Sequence, residues 1–159
     1  MGKELSASAQ KVQDILASLG FSCQVVELPN STRTAKDAAQ AIGCQVGQIV
    51  KSLVFKGKHS HRPVLVVASG INRVNEQRLG ELVDEPVEKA DADFVRQRTG
   101  FAVGGVPPVG HVEPIETFID EDLQHYEEIW AAAGTPFAIF CLTPIDLQRM
   151  TGGHVTAIK

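Results

Sequence analysis

The heptapeptide IVKSLVF at residues 49–55 sets one lysine, Lys51, inside a run of β-branched, aliphatic and aromatic strand formers, and PVLVVA follows at residues 63–68 across a polar loop. Two such runs joined by a short polar connection predict an antiparallel pair. The unbroken apolar character of the second is that of a strand covered on both faces. An isolated ammonium is expensive to bury, so Lys51 either opens onto a cavity or snorkels to water at a strand end. Strand alternation puts Lys51 on the face of Leu53 and Phe55 and Lys56 on the other face with Val54.

Upstream of this pair, Val12, Ile15, Leu16 and Leu19 recur at helical spacing between a Ser6 or Ser8 cap and Gly20. Residues 21–28 read as a short strand broken by Pro29 and Asn30. Thr34, with Asp37 three residues on, caps a helix carrying Ala38, Ala39, Ala41 and Ile42 and closed by Gly43, and residues 45–50 make a helical turn into the lysine strand. Downstream, Asn72 is read as the cap of a helix through Leu82 with Leu79 and Leu82 inward. Residues 87–90 are too short to assign. Asp91 or Asp93 caps a helix that Gly100 ends. A strand over 115–119 runs to Asp120, a helix carries Leu123, Tyr126, Ile129, Trp130 and Ala133 as far as Gly134, a strand covers 137–142, and Pro144 opens a last helix with Leu147 and Met150 inward. The expectation is a single mixed α/β (α+β) domain over residues 1–159, with a mostly antiparallel sheet of about six strands flanked by helices.

Composition narrows the function. With 43% hydrophobic and 21% charged residues, the chain has the balance of a globular protein with one core. It holds no apolar run of membrane length, and residues 1–17, which carry Glu4 and Asp14, do not resemble a secretory leader. The expected setting is the cytoplasm, with no membrane partner. Three cysteines, Cys23, Cys44 and Cys141, are odd in number and widely spaced, which predicts reduced core thiols rather than a disulfide framework or zinc site. A net charge of −4 argues against wholesale coating of a nucleic-acid backbone, and DNA is not an expected partner. Basic residues nevertheless recur in the N-terminal half, at Arg33, Lys36, Lys51, Lys56, Lys58, Arg62, Arg73 and Arg78, while acids gather at 84–93 and 113–128. Such a half can contact a few phosphates. HExxH, CxxC, GxGxxG, GxxxxGK[ST] and GxSxG patterns are absent, so neither metal nor cofactor is expected.

The stretch GGVPPVGH at 104–111 concentrates glycine and proline. It can aim backbone amides at an oxyanion or carbonyl, or simply connect two elements tightly. His111, just after it, can be a base, a ligand or a hydrogen-bonded structural residue. Asp120 is either a strand-end site carboxylate or the cap of the segment that follows.

The runs TAKDAAQAIGCQVGQIVKSLVF (34–55), TGFAVGGVPPVGH (99–111) and FIDEDL (118–123), the last followed by WAAAGTPFAIFCLTPIDL (130–147), resemble the YbaK family. These are free-standing aminoacyl-tRNA deacylases related to the editing insertion of bacterial prolyl-tRNA synthetase. The resemblance implies a mixed α/β fold and hydrolysis of the ester joining a wrong amino acid to the tRNA 3′ adenosine. It matches Lys51 to the family lysine, Gly104 through Pro108 to the family GxxxP loop, Asp120 to the family aspartate, and Ala133 and Gly134 to a late glycine turn. Some relatives carry serine or histidine near that turn, where this chain has Ala132, Ala133, Gly134 and Thr135. The implied catalytic residues are Lys51, Gly104, Gly105 and Asp120; Pro108, His111, Gly134, Thr34 and Lys56 are the implied substrate contacts. The implied partner is the acceptor end of aminoacyl-tRNA, tRNA(Pro) first, bearing alanine or else cysteine or serine, with prolyl-tRNA synthetase as a second partner and a monomer acting in trans. Two other readings stand beside this one: a non-catalytic module that binds an acceptor end or a synthetase, and a small-molecule hydrolase with His111 as general base.

Overall fold

The computed structural model describes residues 5–29 and 34–159; Asn30 and Arg33, read above as a strand breaker and a basic residue, lie outside them. Five α-helices and eight strands are present among the described residues. The lysine strand is β2 (Val50–Gly57), after α1 (Ala7–Ser18), β1 (Val25–Glu27), α2 (Ala35–Ile42) and a 3-10 turn at Val46–Gln48. It pairs antiparallel with β3 (Pro63–Ser69) in the expected sense, Lys51 opposite Ala68 and Phe55 opposite Val64. Then come α3 (Glu76–Val83), β4 (Val87–Lys89), α4 (Ala92–Thr99), β5 (Glu116–Asp120), a 3-10 turn at Glu121–His125, β6 (Ile129–Ala132), β7 (Ala138–Leu142), α5 (Pro144–Thr151) and β8 (His154–Thr156).

The mixed, mostly antiparallel architecture is as expected, but the strands divide into two sheets: a five-stranded sheet in the order β4-β2-β3-β5-β8 and a three-stranded sheet in the order β1-β7-β6. The β3–β5 and β5–β8 pairs are parallel, the others antiparallel. Val64, Leu65, Val66, Val67 and Ala68 of β3 are all 0% exposed. Leu65 and Val67 enter the core that contains Val12 and Leu16 of α1, whereas Val64, Val66 and Ala68 enter a second core with Leu79, Val83 and Phe118. One strand thus holds both layers, and burying each large aliphatic side chain contributes roughly 1.5–3 kcal/mol.

Three sequence expectations are corrected. The helix expected through Leu123 and Ala133 is a 3-10 turn followed by β6. Apolar positions there fit a helical spacing, but Ile129, Ala131 and Ala133 alternate inward at 0%, 1% and 0% exposure and β6 pairs with β7, so cross-strand pairing overrides the helical period. Asn75, not Asn72, caps α3 by accepting the Arg78 N–H, and the inward pair is Leu79 and Val83, with Leu82 exposed. Leu19, read as part of the apolar stripe of α1, is also exposed; Ala9, Val12 and Leu16 are buried. Among the described residues, no helix is long and apolar enough to cross a membrane.

Gly134, in the turn between β6 and β7, has φ +99°, and a Cβ there would stand 2.7 Å from the Ser8 carbonyl oxygen on α1. Gly134→Ala is therefore expected to destabilise by about 1–3 kcal/mol from backbone strain alone, with the steric contact adding to it. Urea unfolding measures this; an unchanged midpoint would show that the turn is not wedged against α1.

Candidate active site

β4 pairs with β2 only from Phe55 to Gly57, and the last bond on that side is Ala90 N–H to the Val54 carbonyl at 3.2 Å. Towards the other end of β2, Ile49 bridges Trp130. Between these points the outer edge of β2 carries no partner strand among the described residues, and a cleft of about 420 Å³ opens there. Its surface combines residues 50–53 with Thr34, Ala35 and Ala38 at the start of α2, Trp130, Ala131 and Ala132 of β6, and Val103, Gly104 and Val106 of the glycine–proline loop. A second lobe of about 240 Å³ shares Ser52, Leu53, Val103, Gly104 and Val106 with the first and reaches Lys89, Ala90 and Val95. Among the described residues, no acidic side chain lines either lobe.

Lys51 sits at this edge because a buried carboxyl orders what lies behind it. Asp120, at the end of β5, is 1% exposed; one of its oxygens accepts the Ser69 N–H at 2.9 Å and the Asn72 side-chain amide at 2.8 Å, and the other accepts the Asp122 N–H at 2.9 Å. The Asn72 amide also donates to Asp122 at 2.7 Å. With its side chain so held, Asn72 presents its carbonyl to the Lys51 ammonium, which donates to it at 2.6 Å. Burial, then the Arg73 charge, draw the Lys51 pKa below the usual lysine range; Lys89 adds to this and Asp120 opposes it. Lys159 and Asn72 hold the Asp122 carboxyl below its ordinary range, through a 2.9 Å ion pair with Lys159.

The glycine loop is braced by the late turn. The Gly105 N–H donates to the Ala102 carbonyl at 3.0 Å and its own carbonyl accepts the Gly134 N–H at 2.8 Å; a Cβ at Gly105 would stand 2.7 Å from Thr135 Cα. The Gly105 amide is thus committed to the turn. Gly104, at φ +91°, lines the cleft, and its N–H has no hydrogen-bond partner among the described residues. Pro108 is buried behind the loop, and His111 Nε2 lies 2.7 Å from the Pro107 carbonyl.

Of the residues singled out from the sequence, Lys51, Gly104 and Thr34 line the cleft. Thr34 Oγ accepts the Asp37 N–H at 3.1 Å as the cap of α2, leaving its own O–H to donate. Gly105 and Gly134 brace the loop, and Asp120 is linked to Lys51 by hydrogen bonds through Asn72 as well as by its charge. Pro108 and His111 line neither lobe, and Lys56 is engaged elsewhere, 3.9 Å from Glu88 and over the Phe94 ring at 5.4 Å. Sequence reasoning missed Asn72, misread as a helix cap, and the cleft residues Ser52 and Trp130. A second asparagine three residues after Asn72, better placed to cap, was the available signal. Burial, and for Cys141 also Glu128, raises the thiol pKa values, Cys141 to about 11, which leaves them poor nucleophiles. Among the described residues no group of three or more His, Cys, Asp or Glu is placed to hold a metal ion.

The profile of the aminoacyl-tRNA editing domain matches residues 29–150, and the chain belongs to that family. A crystal structure of a protein proposed as a trans-editing enzyme for prolyl tRNA synthetase superimposes with a TM-score of 0.93 at 52% identity, covering 98% of this chain and 99% of that one. A protein of Enterococcus faecalis named as a proposed deacylase of Cys-tRNA(Pro) and Cys-tRNA(Cys) is 27% identical over 79% of this chain and 76% of its own. The proline–tRNA ligase of Bacillus licheniformis is 35% identical over 61% of this chain, a segment that occupies 17% of the ligase.

Burial lowers the His111 pKa, against the smaller raising effect of its bond to Pro107. Unfolded histidine titrates near 6.5, so as pH falls below about that value the unfolded chain takes up a proton that the folded state resists, and stability drops until the folded pKa is passed. The melting temperature is expected to fall between pH 7 and 5 and to fall less in His111→Gln, which keeps a donor for Pro107; parallel curves would remove His111 as the source.

Proposed function

We propose that this chain hydrolyses the ester joining a wrong amino acid to the 3′ end of transfer RNA, acting in trans as one unit over residues 1–159. The observation that carries this reading is the placement of the family lysine and an unpartnered loop amide on one small, largely apolar cleft. An aminoacyl ester is already activated, so its hydrolysis needs a positioned water and a donor for the developing oxyanion more than a strong nucleophile. The Gly104 N–H supplies that donor. Lys51 spends one of its three N–H donors on Asn72, and an entering phosphate or ribose can take the others. Because burial, Arg73 and Lys89 all disfavour its charged form, a phosphate of the acceptor end would relieve that strain on the cation. The substrate 2′-hydroxyl assists proton transfer.

Selectivity comes from size. Ala35, Ala38, Ala131 and Ala132 contribute small apolar side chains to the cleft wall, a surface suited to the side chains of alanine, cysteine or serine, and in this reading larger residues are rejected as in a second sieve. Alanine on tRNA(Pro) is the first substrate in this reading; the prolyl-tRNA synthetase connection in one relative's description and the cysteinyl esters in another's support the tRNA and the size class. His111 lines neither lobe and its Nε2 is bonded to the Pro107 carbonyl, which favours this reading over a small-molecule hydrolase with His111 as base.

The test is deacylation of alanyl, cysteinyl, seryl and prolyl esters on tRNA(Pro). One small-residue ester should be lost faster than in buffer, and Lys51→Ala should slow that loss on the order of a hundredfold or more. If no ester is lost faster than in buffer, a non-catalytic acceptor-end module replaces the enzyme.

A chelator is expected to leave this rate unchanged; inhibition restored by zinc would contradict a metal-independent mechanism.

A further inference from the structure

Ser52 follows Lys51 on β2 and lies on the opposite face. It stands across from Val67, on the side of Val50 and Val54, which belong to the core that contains Val106. Its Oγ is buried and, among the described residues, is the one buried side-chain nitrogen or oxygen without a hydrogen-bond partner. The buried polar residues Ser69, Asn72, Thr99, Thr117 and Asp120 all have bonded side chains. Leaving a buried hydroxyl unpaired is unfavourable, and this one lies where the two lobes meet, since Ser52 and Gly104 line both.

A nucleophilic role does not fit. Activating a serine needs an adjacent base; among the described residues neither lobe is lined by His, Asp or Glu, and the Lys51 ammonium is bonded to Asn72. The hydroxyl is instead a hydrogen-bonding group, and the donor and acceptor balance of the cleft says which kind. An aminoacyl ester brings a carbonyl, which only accepts, and an α-ammonium group, which only donates. Gly104 N–H can serve only the carbonyl. Among the described residues the lining holds no carboxylate; of its side-chain hydroxyls, Thr34 Oγ already accepts the Asp37 N–H and Ser52 Oγ has no partner, which makes Ser52 Oγ the side-chain acceptor open to an ammonium deep in the cleft.

We propose that Ser52 Oγ accepts a hydrogen bond from the α-ammonium group of the esterified amino acid, so that the cleft selects acyl groups with a free α-amino group over des-amino and N-acylated ones. This rests on the deacylase reading of the same cleft. Hydrogen bonds to charged groups are the stronger kind, so the preference is expected to be about ten- to a hundredfold.

The test measures binding of two non-hydrolysable acceptor-stem minihelices, one with an amide-linked 3′ alanyl group and one with the des-amino propionyl group, to wild type and Ser52→Ala, together with melting temperatures. Wild type should bind the alanyl analogue about ten- to a hundredfold tighter, and Ser52→Ala should bring the two within about twofold of each other by weakening the alanyl analogue alone. The variant should melt at or above the wild-type temperature, because the hydroxyl it removes is unpaired in the free protein. Equal weakening of both analogues would overturn the ammonium assignment while leaving the deacylase reading in place. A melting temperature several degrees lower would show that the fold uses the hydroxyl, and would overturn the proposal whatever binds. Failure of wild type to bind either analogue would remove both readings.

Discussion

A buried carboxyl orders this molecule's working end. Asp120 is almost fully withdrawn from solvent, and a group of that polarity is tolerated inside a protein only when its lone pairs are filled. Three donors fill them: the end of β3 through the Ser69 N–H, the following loop through the Asn72 amide, and the next turn through the Asp122 N–H. The consequence reaches beyond local packing. With Asn72 held by its side chain, its main-chain carbonyl becomes a fixed acceptor for Lys51, and a long, flexible side chain loses much of its freedom before any substrate arrives.

The cleft beside Lys51 exists because two sheets meet without merging. β4 leaves the edge of β2 at Phe55 and the three-stranded sheet bridges the chain at Ile49, just before β2, so among the described residues a short length of strand edge is left without a partner strand. Exposed edges invite pairing with other chains; here α2 and the glycine–proline loop cover the gap and turn it into a cavity. The loop is held in place by the bond between Gly105 and Gly134, at a contact too close for a Cβ. The two glycine turns therefore form one structural unit, with Gly104 as the part that faces the cleft.

The central pair β2–β3, the caps at Thr34 and Asp91, the closing glycines of α2 and α4 and the proline start of α5 were legible in the sequence, because each rests on local chemistry: apolar run length, a side-chain oxygen before a helix, positive φ. The division into two sheets was not, since strands of three or four residues such as β4, β6 and β8 are too short to show a period and are defined by partners distant in sequence. At the site, Lys51 was visible as a charge inside a strand, and Gly104 as part of a rare concentration of glycine and proline. Which glycine keeps a free amide depends on a turn bond that composition does not reveal. Asn72 and Ser52 are distinguished wholly by tertiary placement, one by bridging two carboxyl groups and the other by a buried hydroxyl with no hydrogen-bond partner among the described residues. His111 and Lys56 carried the right chemistry in the chain but fold away from the cleft.

If the Asp120 carboxyl acts on the reaction only by holding Asn72 and, through it, Lys51, the two ends of that chain are one functional device. The most direct measurement is a double-mutant cycle on the deacylation rate with wild type, Lys51→Met, Asp120→Asn and the double variant, each assayed below its unfolding transition. The account predicts that Asp120→Asn slows wild type but scarcely changes the rate once Lys51 is gone. Losses that multiply would contradict it and would mean that Asp120 acts on the substrate by a route of its own.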